Sequence, residues 1–180
     1  GFSSSVEVGG ITSRLEGEAR PGHFRGVTTV VAKLINLVRP DRLYMGEKDG
    51  QQLRVIGKMV GDLGFAVTVV PVPTVREADG LALSSRNRYL APEERQAALV
   101  IPRALSAAQD SFAAGVRDAA ALRGQVVAAL AAEPLARVGY VSLADSETLD
   151  ELDMVTKPAM LSVAVRIGRT RLIDNVVLRP

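Results

Sequence analysis

Leu43-Tyr44-Met45-Gly46-Glu47-Lys48-Asp49-Gly50-Gln51-Gln52-Leu53 is the stretch whose reading decides the fold. A short apolar run stops at Gly46 and a helical pattern follows at once, so the segment reads as a buried strand turning directly into a helix. Asp49 is placed to serve as N-cap, and Gln52 stands three residues later, the spacing of a capping box. Such a turn aims backbone N–H groups and the positive end of a helix dipole at the space beyond the strand, a seat for phosphate or carboxylate. Lys48 adds a full positive charge. The same residues also fit an ordinary capped helix with a solvated lysine, and this stretch alone leaves both readings open.

Upstream, Val27, Val30, Val31, Leu34, Leu37 and Val38 recur at helical spacing, and Arg39-Pro40 ends that helix. Before it, Arg20-Pro21-Gly22-His23-Phe24-Arg25-Gly26 reads as a turn, with a short helix expected around residues 11–18. Downstream, Leu53, Ile56, Val60 and Leu63 give the next helix its apolar face, and Gly64 suits the residue past its end. Residues 66–72 are β-branched and apolar on both faces, as in a buried parallel strand. Helix, strand, helix, strand with short connections indicates an α/β fold with a Rossmann-like parallel sheet. Two or three strands make only half of such a sheet and leave an edge unpaired.

From Pro73 the character changes. Residues 73–91 form a long polar connection holding Arg76, Glu77, Asp79, Ser84, Ser85, Arg86 and Arg88, and connections of that length are usually functional. Pro92 suits a first helical residue although Ala91 is a poor N-cap, and Pro102 is expected to kink or end that helix. An Ala-rich helix over 115–132 stops before Pro134. Strands are expected over 137–144 and 160–178, the latter folded into a hairpin at Gly168-Arg169-Thr170. The expected division is therefore a parallel-sheet domain over residues 1–75 and a small α+β domain over 76–180.

Composition narrows the function. The 180 residues allow one sizeable core or two small ones, and 47% hydrophobic with 23% charged residues is the balance of a globular chain. A net charge of +2 makes no phosphate-binding stripe, so no nucleic-acid partner is expected. The absence of Cys excludes disulfides and thiolate metal sites and fits a reducing compartment. His23 is the only histidine, so no multi-histidine metal site exists within this chain. No apolar run reaches the ~18 residues of a membrane span, and residues 1–10 lack the layout of a signal peptide. The chain opens on Gly rather than Met, so a cropped or processed N-terminus is expected.

In a parallel sheet, ligands bind beyond the C-terminal ends of the strands. Both polar stretches follow strands there, which would gather Lys48, Ser84, Ser85, Arg86 and Arg88 around one anion. Arginine grips phosphate oxygens with a fork, serine hydroxyls donate, and lysine acts as a point charge. A nucleoside triphosphate is the natural guest, since phosphoryl or nucleotidyl transfer needs charge placed where charge develops. Asp49 and Gln52 also read as plain helix caps, Arg86 and Arg88 as solvated loop charges, and His23 as a packed or surface histidine.

Arg20-Pro21-Gly22-His23-Phe24-Arg25-Gly26-Val27, Val38-Arg39-Pro40-Asp41, Gly46-Glu47-Lys48-Asp49, Gln51-Gln52-Leu53, Arg76-Glu77-Ala78-Asp79-Gly80-Leu81-Ala82 and Ser84-Ser85-Arg86-Asn87-Arg88-Tyr89-Leu90, in this order, resemble the pantothenate synthetase (pantoate–β-alanine ligase) family. The resemblance implies a nucleotidylyl-transferase type of Rossmann-like fold and a ligase using ATP and Mg²⁺. In such a ligase pantoate attacks the α-phosphate to give pantoyl adenylate, and β-alanine then displaces AMP. It implies that Gly46, Glu47, Lys48 and Asp49 line the ATP phosphates and ribose, that Gln52 hydrogen-bonds pantoate, and that Val75 touches adenine through its backbone. Leu83, Ser84, Ser85 and Arg86 would form a mobile loop like the Lys-Met-Ser-Lys-Ser loop of related adenylating enzymes, His23 would lie near the phosphates, and residues 76–180 would act as a lid. A cytoplasmic homodimer is also implied.

The departures are specific. The family's His-x-Gly-His signature, its first strands and an upstream Gln are not in this chain, which resembles the last three-fifths of the enzyme. The chain alone is therefore expected to lack ligase activity. Gly50 stands where the family usually has an aromatic residue, Leu83 where it usually has Met, and Pro102 is unusual in its helix. The competing reading is a non-catalytic assembly module that pairs with another chain through the open sheet edge.

Overall fold

Strands β1 (Arg42–Gly46) and β2 (Thr68–Val72) pair in parallel, with Gly46 opposite Val72, in a computed structural model that describes residues 1–180. Helices α1 (Glu16–Ala19), α2 (His23–Val38) and α3 (Gly50–Asp62) complete a first compact unit, Gly1–Pro73. The parallel pair agrees with the α/β expectation, and it is a sheet of only two strands. The helix expected over 11–18 is shorter and later, because the chain passes Leu15 at φ 50°, a left-handed conformation that no helix continues through.

Helix α2 differs from its predicted form in two ways. It begins at His23, directly after Gly22 takes φ 77°, so the expected turn over 20–26 is half helix. Its buried side is Phe24, Thr28, Ala32 and Ile35, while Val30, Leu34, Leu37 and Val38 are exposed. The reason is that α2 is apolar around most of its circumference, so two stripes satisfy the 3.6-residue period and spacing cannot choose between them. Thr28 is accepted inside because its hydroxyl lies 2.8 Å from the Phe24 carbonyl and 2.6 Å from that of Val6.

Helix α3 packs on both strands and buries Leu53, Val55, Ile56, Met59 and Val60. Strand β2, expected to be buried on both faces, is half-buried at Val69 and Val70 and exposed at Thr68, Pro71 and Val72. Within this unit the two strands have too few neighbours to bury both faces.

The second unit, Thr74–Pro180, holds α4 (Pro92–Ala97), α5 (Val100–Ala113), α6 (Ala119–Ala131) and strands β3 (Ala136–Asp145), β4 (Ala159–Ile167) and β5 (Thr170–Leu178). The strands form an antiparallel sheet in the order β3-β4-β5, against which α5 and α6 close a continuous apolar core that includes Ile101, Leu105, Leu122, Leu130, Leu143 and Leu161. As expected of Pro102, the helix begun at Pro92 does not run through it: α4 ends at Ala97 and the break falls at Ala98-Leu99, where the proline ring crowds the carbonyl four residues back and offers it no N–H. Pro102 itself falls in the first turn of the next helix, α5, where its missing N–H has no intrahelical partner to lose. The predicted helix over 115–132 starts four residues late because Gly115 sits at φ 102° and Asp118 caps it, its carboxylate accepting from the Ala121 N–H at 2.6 Å. Ala91, which has no capping oxygen, is supported from the other direction: its N–H donates to Glu94 at 2.9 Å. Gly168 turns the β4–β5 hairpin at φ 55°, and a Cβ there would come within 1.8 Å of the Glu94 carboxylate.

Candidate functional site

The first group of predicted site residues lies beyond the C-terminal end of β1. Gly46 ends the strand with φ −68° and ψ 131°, and residues Glu47–Asp49 form a single 3₁₀ turn that leads into α3. Glu47, Lys48 and Gln52 are half-buried, while Gly46 and Asp49 are exposed. Asp49 does occupy the position before α3, but its carboxylate makes no capping hydrogen bond, contrary to the capping-box reading. Its φ of −94° and ψ of 57° lie outside the extended region from which an N-cap side chain reaches back over the first turn.

Gln51, to which spacing assigns no role beside Gln52, is the buried amide of this turn. Its Nε2 donates to the carbonyls of Ile11 and Arg14 at 2.8 Å each, and its Oε1 accepts from the Glu16 N–H at 3.0 Å. One side chain thus fastens the segment before α1 to the first turn of α3, across 35 to 40 residues of chain. A Gln at the start of a helix has no local signal for such a role.

His23 is the first residue of α2, half-buried, with its ring 5.0 Å from that of Phe24. Its Nε2 lies 3.1 Å from Arg20 Nη1; a guanidinium only donates, so Nε2 is the acceptor there.

The second group belongs to the second unit. Leu83 and Val75 are exposed and tied together, the Leu83 N–H donating to the Val75 carbonyl at 2.9 Å. Ser84 precedes a 3₁₀ turn, Ser85–Tyr89, and its Oγ accepts from the Arg86 N–H at 3.2 Å. Ser85 and Arg86 are exposed, and Arg88 lies over the Tyr89 ring at 5.4 Å. Two hydroxyls and two guanidinium groups within five residues form a cationic, donor-rich surface, suited to phosphate oxygens.

Arg76 does not share that role. Its guanidinium forks onto the buried Asp174 of β5 at 2.7 and 3.1 Å and also donates to the Gly80 carbonyl at 3.0 Å. A bridge between Arg76 and Ala82, with Gly80 at φ 92°, closes residues 76–82 into a tight loop. On its other flank Arg95 Nη2 bonds Glu77 at 2.8 Å and Asp79 at 2.7 Å. The Arg95 guanidinium is the main reason that both carboxyls lie below their ordinary range; the Asn87 amide adds to the effect on Glu77, and the two carboxylates raise Arg95 in turn. From the sequence these acidic residues are only polar loop positions. No group of three or more His, Cys, Asp or Glu side chains is arranged to hold a metal ion, and no helix is long and apolar enough to cross a membrane.

Residues 2–177 match the family model described as pantoate-beta-alanine ligase. The chain is 58% identical over 179 residues to a pantothenate synthetase of Herpetosiphon aurantiacus, covering 99% of this chain and 65% of that protein. It is 52% identical to a pantothenate synthetase of Moorella thermoacetica, covering 99% and 63%. A crystal structure of pantothenate synthetase from Thermus thermophilus superposes with a TM-score of 0.96 at 50% identity, covering 100% of this chain and 65% of that one. A pantoate-beta-alanine ligase from Francisella tularensis, solved with β,γ-ATP and β-alanine, gives a TM-score of 0.72 at 30% identity, covering 97% and 58%. The chain therefore spans about two-thirds or less of the length of these relatives.

Proposed function

Because the chain belongs to the pantoate–β-alanine ligase family, we propose that it is part of an ATP-dependent ligase that condenses pantoate with β-alanine. The observation that carries this reading is the Gly46-Glu47-Lys48-Asp49 turn at the C-terminal end of a parallel strand, within a chain that matches the family along nearly its whole length. In the proposed reaction a pantoate carboxylate oxygen bonds to the α-phosphorus of ATP as the bond to diphosphate breaks. The β-alanine amine then attacks the acyl carbon, and AMP leaves with the bridging oxygen. These steps develop negative charge on phosphate oxygens and need fixed positive charge and donors more than covalent help.

Lys48, Ser84, Ser85 and Arg86 supply those groups, with His23 near the phosphates. Gly46, Glu47 and Asp49 line phosphates and ribose, Val75 and Leu83 contact the nucleotide, and Gln52 hydrogen-bonds pantoate. Mg²⁺ is proposed to arrive on the nucleotide, held mainly by phosphates and water. Residues 76–180 are proposed as a lid and the whole protein as a cytoplasmic homodimer. The similarity to ligases along the whole chain weighs against a non-catalytic assembly module.

The test is titration calorimetry of ATP into the full-length protein. Lys48→Ala and Arg86→Ala are each expected to weaken binding at least tenfold, while Lys58→Ala, which removes only an exposed pair with Asp62, leaves it unchanged. Equal affinities for all three would refute the site.

A further inference from the structure

The residues around the Ser85–Tyr89 turn form a latch whose parts are shared by three elements. Glu77, in the loop before the turn, divides its carboxylate: Oε1 accepts from Asn87 Nδ2 at 2.5 Å, and Oε2 from Arg95 Nη2 of α4 at 2.8 Å. The same Asn87 Nδ2 donates to the Ala82 carbonyl at 3.1 Å, and the same Arg95 Nη2 reaches Asp79 at 2.7 Å. Glu77 and Arg95 are both partly buried, with side chains 32% and 21% exposed, whereas Ser85, Arg86 and Arg88 around Asn87 face solvent. An exposed five-residue 3₁₀ turn has poor intrinsic order. Its own backbone bonds run only from Ser84 to Leu90, and what ties its middle to the Glu77 loop and to α4 is one amide held by one carboxylate that is itself held by an arginine.

Resting on the assignment of Ser84, Ser85 and Arg86 to ATP phosphates, we propose that Glu77, Arg95 and Asn87 are positioning residues for that site. None of them touches the nucleotide; together they set where Arg86, the immediate neighbour of Asn87, presents its guanidinium. Charge-assisted bonds hold both oxygens of Glu77, so the latch is directional as well as attractive. Glutamine at 77 keeps the shape but must turn an N–H₂ toward one of two donors, which breaks one arm without opening a cavity. Lysine at 95 keeps a cation that can serve both Glu77 and Asp79, since a single nitrogen does so in the native arrangement. Methionine there serves neither.

The experiment compares variants of the full-length protein by steady-state kinetics and by the rate of tryptic cleavage after Arg86 and Arg88. Glu77→Gln and Arg95→Met are expected to speed that cleavage at least tenfold and to lower kcat/KM for ATP by roughly ten- to a hundredfold, the scale of a small misplacement of a positioning group. The KM for β-alanine and cleavage after Lys58 stay unchanged, and Arg95→Lys recovers most of the loss. Asn87→Ala, which leaves the Glu77–Arg95 pair intact, should reproduce the Glu77→Gln phenotype even if Arg95→Met fails to fold. Unchanged cleavage at Arg86 and Arg88 in Glu77→Gln and Asn87→Ala would overturn the latch. Faster cleavage with unaltered kinetics toward ATP would overturn the positioning role while leaving the latch real. Arg86→Ala with unaltered ATP kinetics would remove the underlying site assignment instead.

Discussion

Leu161 on β4 and Leu37 on α2 are the same side chain with opposite surroundings: the first has no exposed surface and the second is 71% exposed. The contrast extends to the units that hold them. In Thr74–Pro180 the inward side chains of an antiparallel sheet and two helices meet one another, and the core is continuous from Leu81 to Leu178. In Gly1–Pro73 the buried residues gather on α3, one side of α2 and a few positions before them (Val8, Ile11, Glu16), while Val30, Leu34, Leu37, Val38 and Tyr44 stay open. An apolar stripe in a sequence thus marks a surface suited to burial, and only the neighbours available decide whether it is buried.

The largest expected effect tests that contrast directly. Leu161→Ala should cost about 2–5 kcal/mol, as for a large core side chain, whereas Leu37→Ala should stay within about 0.5 kcal/mol in this chain. Urea unfolding of the two variants measures both, and equal losses would dissolve the distinction between the units. Next comes Gln51→Leu, which leaves carbonyls at Ile11 and Arg14 and the N–H of Glu16 without their partner. With part of the segment free to relax toward water, about 2–3 kcal/mol is expected. Amide exchange at Glu16 should accelerate while exchange in β4 does not change, so a uniform rise in both would contradict a local fastening.

The smallest effect is one of pH and belongs to the second unit. Burial by itself would raise the Asp145 carboxyl, but the Lys157 ammonium at 2.6 Å and the N–H groups of Thr148 and Glu147 outweigh it and hold the group at about 2. Since the folded state binds this proton less readily than the unfolded chain, the stabilisation is complete above about pH 4 and is lost as pH falls through 2. Its size is at most about 2 kcal/mol, reduced further by salt because Lys157 is exposed. Asp145→Asn should flatten the acid limb of a stability–pH curve; an unchanged slope would show that ionised Asp145, with all its partners, contributes nothing.

Much of this architecture was legible from local chemistry. The strand–turn–helix at Gly46, the parallel strand before Pro73 and the hairpin at Gly168 each carry their own punctuation. What escaped depended on partners distant in sequence. Gln51 reads like any helix residue until residues 11–16 are folded against it, and Arg95 has no visible purpose until the loop of Glu77 and Asp79 returns to it. Asp49 failed for the opposite reason: its spacing was right, but the preceding 3₁₀ turn set backbone angles that no spacing rule includes. Pro102 was read correctly as a breaker, and the break lies one turn upstream of it because the proline ring acts on the carbonyl four residues back. Among the candidate site residues, the motifs named the side chains, and the fold supplied the braces that hold them.

Gly168 and Glu94 make the tip of a hairpin and the start of a helix mutually dependent. A side chain introduced at 168 would be strained at φ 55° and would also displace the carboxylate that tethers the Ala91 amide, so one substitution inflicts two injuries. Shortening Glu94 in the same molecule would clear the space without restoring the tether. Because φ 55° strains a side chain at 168 even where the space is clear, a variant library randomised at both positions would keep Gly at 168 whatever stands at 94.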